Sequence, residues 1–122
     1  MIKCADVSNG MRPRDSNERW VSRIVSEFHR QGDLEAERGY KVSPGMGRNE
    51  AVPGGQLFFF NFFCRDLYRM LTQLVPETQK LYDECFLTNY ERWEKMNLIE
   101  KESAEKIQRQ VRAKSGQAEG PT

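Results

Sequence analysis

The amino-acid sequence predicts an all-α fold in which a long loop separates the first long helix from the second. Apolar residues recur every three or four positions before and after that loop, as on one face of a helix. Glycine and proline concentrate between positions 33 and 55, where the periodicity is lost. A loop of that length is uncommon in a compact domain and is often functional. Pro76 then separates the second helix from a third.

The first long helix is predicted to follow a turn at Gly10 and Pro13. Asp15 is a good N-cap, and Glu18 three residues later resembles the second half of a capping box. The apolar face of this helix comprises Trp20, Val21, Ile24, Val25 and Phe28. Gly32 is the predicted end of the helix.

The second helix is predicted from Gln56 to Leu74 and is rich in phenylalanine. Its main apolar stripe comprises Phe59, Phe63, Leu67, Leu71 and Leu74, and three neighbours widen it, Phe58, Phe60 and Phe62. A helix that is apolar on most sides requires burial on most sides. At ~25 cal/mol per Å² of apolar area, leaving several phenylalanines in water costs several kcal/mol. The composition therefore indicates a piece of something larger.

The third helix is predicted from about Glu77 to Leu98. Its inner side is predicted to comprise Leu81, Cys85, Trp93 and Met96. Residues 98–122 are predicted to form a polar tail, in which Ile107 and Val111 allow a short solvated helix. From Ser115 onwards the composition is typical of disorder.

The overall composition argues against two classes of partner. Lys and Arg total 19 and Asp and Glu total 18, so a formal net charge of +1 gives no basis for binding nucleic acid or an anionic membrane. The longest apolar stretch, 57–63, is far below the ~20 residues of a membrane span. No apolar signal segment follows Lys3. Cys4, Cys64 and Cys85 form no paired motif and predict free thiols in a reducing, cytoplasmic location.

Six segments in order resemble class I 3',5'-cyclic nucleotide phosphodiesterases. KCADVSN at 3–9 is similar to the family's metal-aspartate motif, and EFHRQGDLE at 27–35 resembles its EFF-x-QGD-x-E motif. The others are RW at 19–20, VSP at 42–44 (start of the flexible loop), GQLFFF at 55–60 (the SQ-x-x-F segment) and VPETQKLYDECFLTNYERW at 75–93 (the closing helix). The resemblance implies that residues 1–97 are the C-terminal part of that helical catalytic domain.

The resemblance also implies a chemistry. The family hydrolyses the 3′ phosphoester of cAMP or cGMP with two divalent metal ions, zinc and magnesium or manganese, which bridge a hydroxide. Such metals lower the pKa of bound water and neutralise charge on phosphate oxygens. The substrate of the complete enzyme would be a cyclic nucleotide. The resemblance is also compatible with a homodimer of the parent enzyme.

Six residues match functional positions of the family. Asp6 matches a ligand of the first metal, although Asp6 and Ser8 could equally cap a turn. The residues that match substrate-binding positions are Asn9 and Trp20, which line the pocket, Gln56, which bonds the purine, and Ile24 and Phe59, which clamp it. For these five the alternative is an ordinary turn, helix-start or core role.

The remaining ligands of the family's metal site have no match in this chain. The family supplies two histidines, a further aspartate and the general-acid histidine before the matching stretch. His29 stands where the family usually has phenylalanine, so it is read as a partly packed helix residue. No catalytic residue is thus assigned, and the chain alone is predicted to be inactive. The alternative function is a catalytically inactive helical interaction module derived from a phosphodiesterase.

Overall fold

The computed structural model describes residues 2–117, and all of its regular elements are helical, as predicted. The elements are α1 (Ile2–Asp6), a 3₁₀ turn (Ser8–Met11), α2 (Arg14–Glu37), α3 (Val52–Phe59), a π-helical segment (Phe60–Cys64), α4 (Arg65–Leu74), a 3₁₀ turn (Pro76–Thr78), α5 (Gln79–Leu81), a second π-helical segment (Tyr82–Phe86) and α6 (Leu87–Gln117). None of the helices in this range combines the length and hydropathy that a membrane crossing requires.

Helix α2 begins and ends at other residues than predicted. Pro13 occupies the N-cap position, so Asp15 lies in the first turn instead of capping it. Glu18 binds Arg14 at 3.2 Å and Arg92 at 2.5 Å and forms no capping box. Gly32 does not end the helix, which continues to Glu37. A Cβ at Gly32 would lie 2.2 Å from the carbonyl oxygen of Met46, so this glycine admits a close backbone contact.

The loop between α2 and α3 is consequently shorter than predicted and spans residues 38–51. Glu35 fastens it to α2 by accepting hydrogen bonds from the Ser43 amide at 2.7 Å and the Ser43 hydroxyl at 2.9 Å. Asp33 holds the loop at a second point, where it accepts a hydrogen bond from the Arg48 guanidinium at 2.6 Å. The Ser43 amide and the neighbouring Gln31 and Ser43 side chains hold the pKa of Glu35 below its usual value. The loop is therefore held against α2.

The second helical stretch, 52–74, changes register in its middle. The buried line runs through Phe60, Cys64 and Tyr68, which are all fully buried. The predicted stripe is therefore the core face only in part: Phe59 and Leu71 pack against the core, whereas Phe63 and Leu74 are 53% and 74% exposed. The wide π-helical turn at Phe60–Cys64 shifts the residues that follow it, which explains the displacement.

The third helical stretch packs its aromatic residues against that buried line. Phe86 lies 5.4 Å from Phe60 and 5.3 Å from Tyr68 between ring centroids, and Trp93 is also buried. Leu81 was predicted on the inner side but is 48% exposed, because the π-helical segment after it places Tyr82 and Phe86 inward. Cys85 and Met96 are half-buried.

Helix α6 does not end near Leu98 but continues to Gln117. Its polar residues are mostly Glu, Lys, Gln and Arg, which have high helix propensity, and no proline interrupts them. The predicted disorder from Ser115 is therefore wrong for residues 115–117. Residues 118–122 lie outside the described part of the chain.

Candidate functional site

The side chains predicted to form a site line one cavity of about 810 Å³ between α1, the first 3₁₀ turn, α2, α3 and the 38–51 loop. All six predicted residues line it, namely Asp6, Asn9, Trp20, Ile24, Gln56 and Phe59. Cavities of this size are typical of small-molecule sites. The structure thus brings together residues from three separate segments of the chain.

One wall of the cavity is the apolar stripe of α2. Trp20, Ile24 and Phe28 recur every four residues, and all three face the cavity. A neighbouring line of residues on α2 packs into the core instead. It includes Asn17 and Val21, which are 1% and 2% exposed. The periodic stripe therefore forms a wall of the cavity, and Trp20 is 49% exposed.

The facing wall is formed by α3 and the π-helical segment. Phe59 packs beside Phe63 at 5.8 Å between ring centroids, and both line the cavity. Gln56 also lines this wall. Its amide oxygen Oε1 is buried and has no hydrogen-bond partner among the described residues.

The floor of the cavity is the segment 7–12, which carries Asn9. The Asn17 amide donates to the Asn9 carbonyl at 3.1 Å and accepts from Nε1 of Trp93 at 3.0 Å. Asn89 donates to the carbonyls of Gly10 and Arg12 at 3.1 and 2.8 Å. These buried amides fix the backbone on which Asn9 stands.

Tyr68 and Cys64 support the same segment from below. The Tyr68 hydroxyl donates to the carbonyl of Val7. Burial raises the pKa of Tyr68 and raises the pKa of the Cys64 thiol to about 11, so both groups are neutral at pH 7. A Cβ on Gly10 would lie 3.1 Å from the Tyr68 hydroxyl, so any other residue here would require Tyr68 to shift by a few tenths of an ångström.

The carboxylate at the cavity does not form a metal centre with other residues. Asp6 is exposed at the cavity edge. Within residues 2–117 no group of three His, Cys, Asp or Glu side chains is placed to hold a metal ion. Because a catalytic zinc takes about three protein ligands, the described residues do not fit a metal by themselves.

Several residues that line the cavity were not predicted from the sequence to belong to a site. They include the apolar Val25, Phe28, Val52 and Phe63, together with His29 and the charged Arg12 and Glu50. Phe28 could have been found, since it continues the stripe of Trp20 and Ile24. His29 is half-buried, as predicted, but it also faces the cavity. No local pattern distinguishes Phe63 from its neighbours, because apolar residues occupy nearly every position there.

Comparison with known proteins adds an independent result. The family model of the 3'5'-cyclic nucleotide phosphodiesterases matches residues 1–85. The 3',5'-cyclic-AMP phosphodiesterase 4 of Dictyostelium discoideum is 37% identical over 94 residues, which are 76% of this chain and 9% of that protein. The high affinity cGMP-specific 3',5'-cyclic phosphodiesterase 9A of Homo sapiens is 29% identical over 101 residues, 82% of this chain and 17% of that protein.

A solved structure is also similar. The structure of LmjPDEB1 in complex with IBMX, from Leishmania, has a TM-score of 0.69 at 29% identity and covers 78% of this chain and 29% of that one. The chain spans less than a fifth of the two curated relatives. The match over residues 1–85 nevertheless covers more than half of the chain, and the chain belongs to the 3'5'-cyclic nucleotide phosphodiesterase family.

Proposed function

We propose that this chain forms the base-binding side of the catalytic pocket of a cyclic nucleotide phosphodiesterase. The complete enzyme would hydrolyse the 3′ phosphoester of cAMP, cGMP or both in signal transduction. The observation that carries the proposal is the convergence of the six family-matched residues on one cavity. Family membership over residues 1–85 supports the same assignment.

Gln56 would recognise the purine. The Gln56 side chain lines a cavity of nucleotide size. A carboxamide both donates and accepts, so it can pair with the edge of either adenine or guanine. Asn9 would add a second amide at the same end of the pocket. Asn9 near Asp6 resembles the cAMP-preferring members of the family, whereas the Gln56 amide could serve either nucleotide.

Ile24 and Phe59 would hold the base between them. They lie on α2 and α3 and line the same cavity. A flat purine packs well between an aromatic face and an aliphatic side chain. Trp20, half-exposed beside Ile24, would extend this apolar surface.

Asp6 would contribute one ligand to the divalent ions of the complete enzyme, zinc and magnesium or manganese. The other ligands and the general-acid histidine would come from outside the described residues, since no group of three ligands exists within 2–117. We therefore expect the 122-residue chain to bind zinc weakly and to hydrolyse neither cAMP nor cGMP by itself.

The assignment of Gln56 is tested by nucleotide affinity. Titration of the chain with cAMP and with cGMP, followed calorimetrically, gives the wild-type dissociation constants. Gln56→Ala removes the carboxamide, and we expect about tenfold weaker binding of the preferred nucleotide, in line with the loss of a buried hydrogen bond. Gln73→Ala is the matched control, because Gln73 is exposed on α4 away from the cavity.

Equal affinity in the Gln56→Ala and Gln73→Ala variants would remove Gln56 from the site. Binding of neither nucleotide would favour the second candidate function, an inactive interaction module. One observation supports that candidate: Phe58 and Phe62 stack at 5.3 Å and are 62% and 68% exposed. Exposed apolar surface of this kind is typical of contact with another protein segment.

A further inference from the structure

The last part of helix α6 extends away from the rest of the structure. Every residue from 98 to 116 is exposed. The preceding residue still contacts the body, since the Asn97 side chain lies 3.4 Å from the Cβ position of Gly54. At ~1.5 Å per residue, the exposed segment 98–116 is about 28 Å long.

This exposed segment carries an apolar line with a charge at each end. Glu100, Ile107 and Lys114 are spaced by seven residues, so they lie on one side of the helix. Ala104 and Val111 occupy the adjacent heptad position. Ile107 and Val111 are 61% and 60% exposed, so the body of the protein leaves this line largely uncovered. Within residues 2–116 neither Glu100 nor Lys114 forms an ion pair.

We propose that segment 98–116 binds the same segment of a second copy of this chain as an antiparallel helix pair centred on Ile107. Ile107 lies midway between Glu100 and Lys114 in the sequence. An antiparallel pair centred there brings residues 98–116 of the two copies alongside each other. This proposal is independent of the proposed function.

The distribution of charge selects the antiparallel direction. In this direction Glu100 faces Lys114 of the partner subunit at both ends, and Ile107 meets its symmetry mate at the centre. A parallel pair would place glutamate against glutamate and lysine against lysine, which is destabilising. The binding partner that fits the apolar line of segment 98–116 is therefore the same segment of a second copy of this chain.

Sedimentation equilibrium of the full 122-residue chain over a range of concentrations tests the proposal. We expect a reversible dimer, since a short helix pair buries less area than a permanent interface. Glu100→Lys turns both end contacts into repulsions, and we expect the dimer to be about tenfold weaker. Lys114→Glu should weaken it similarly, whereas the double exchange Glu100→Lys with Lys114→Glu should restore wild-type affinity.

Two further variants complete the test. Glu102→Lys makes the same charge change on another side of the helix and should leave the dimer unchanged. Ile107→Glu places two like charges at the centre and should abolish the dimer, while far-ultraviolet circular dichroism confirms that the helix is retained. A monomer at every concentration, a dimer that survives Ile107→Glu, or a double exchange without recovery would each overturn the proposal.

Discussion

At the scale of single residues, the site depends on buried amides more than on charges. Asn17 and Asn89 are each 1% exposed, although neither composition nor periodicity predicts that these amides are buried. Their hydrogen bonds reach residues up to 79 positions away, so no local pattern identifies them. Of the matched positions, Asn9 stands on backbone that these bonds fix.

The role of Asn17 is open to direct measurement. Asn17→Ala leaves Nε1 of Trp93 and the carbonyl of Asn9 without their partner. We expect the free energy of unfolding to fall by about 2 kcal/mol, because buried groups lose their hydrogen bonds. Urea denaturation measures this quantity. Asn49→Ala, on the exposed loop, should change it by less than about 0.5 kcal/mol. Equal effects of the two substitutions would contradict this role.

At the scale of elements, periodicity predicted the existence of the helices better than the surfaces they face. The spacing of Trp20, Ile24 and Phe28 correctly indicated a helix, but a cavity wall and a core face have the same apolar composition. In the second helical stretch, the run of phenylalanines fits several helical registers. The sequence therefore does not show that Phe60, at the start of the π-helical segment, is the buried phenylalanine. Gly32 was read as a helix end because its contact with Met46 is made through a distant loop.

Gly32→Ala tests whether this contact holds the loop that borders the cavity. The new Cβ would meet the Met46 carbonyl oxygen at 2.2 Å, so the loop backbone must move. We expect trypsin to cleave faster at Lys41 and Arg48, and the protein to be destabilised by about 1–3 kcal/mol as in other overpacked sites. Gly116→Ala is the control, since no atom of the described residues is found within 4 Å of its Cβ position. Unchanged cleavage in Gly32→Ala would show that the loop does not depend on this contact.

The hydrogen bonds that Glu35 accepts from Ser43, which hold the same loop against α2, are expected to depend on pH. Hydrogen bonds from Ser43 favour the carboxylate, so the folded-state pKa of Glu35 lies below 4.5. The fastening therefore contributes fully above pH 4.5 and is lost as pH falls through the lower, folded-state pKa.

Nuclear magnetic resonance can follow the Ser43 amide and the Glu35 carboxyl together during an acid titration. The two signals should change with one midpoint below pH 4.5. In Ser43→Ala the hydroxyl bond is lost but the backbone bond remains, so the midpoint should rise towards that value. A wild-type midpoint at or above pH 4.5 would exclude the fastening.

At the scale of the whole molecule, the chain leaves several large apolar side chains exposed. Phe58, Phe62 and Phe63 are each more than half exposed, as the excess of apolar area in the sequence indicated. The residues that match the family's base-binding positions come together, whereas a metal-binding group does not form within 2–117. The order of the family motifs therefore predicted which residues line the cavity. The single histidine of the chain also showed that the family's metal-binding and general-acid histidines have no match in it.

The most direct test of the central claim, that the cavity binds a purine nucleotide, uses the two tryptophans of the chain. Trp20 lines the cavity, whereas Trp93 is buried and bonded to Asn17. On titration with cAMP or cGMP, the indole N–H signal of Trp20 and the side-chain amide signals of Gln56 should shift in nuclear magnetic resonance spectra, while the Trp93 signal stays in place. Saturating nucleotide that leaves the Trp20 and Gln56 signals unmoved would contradict the account.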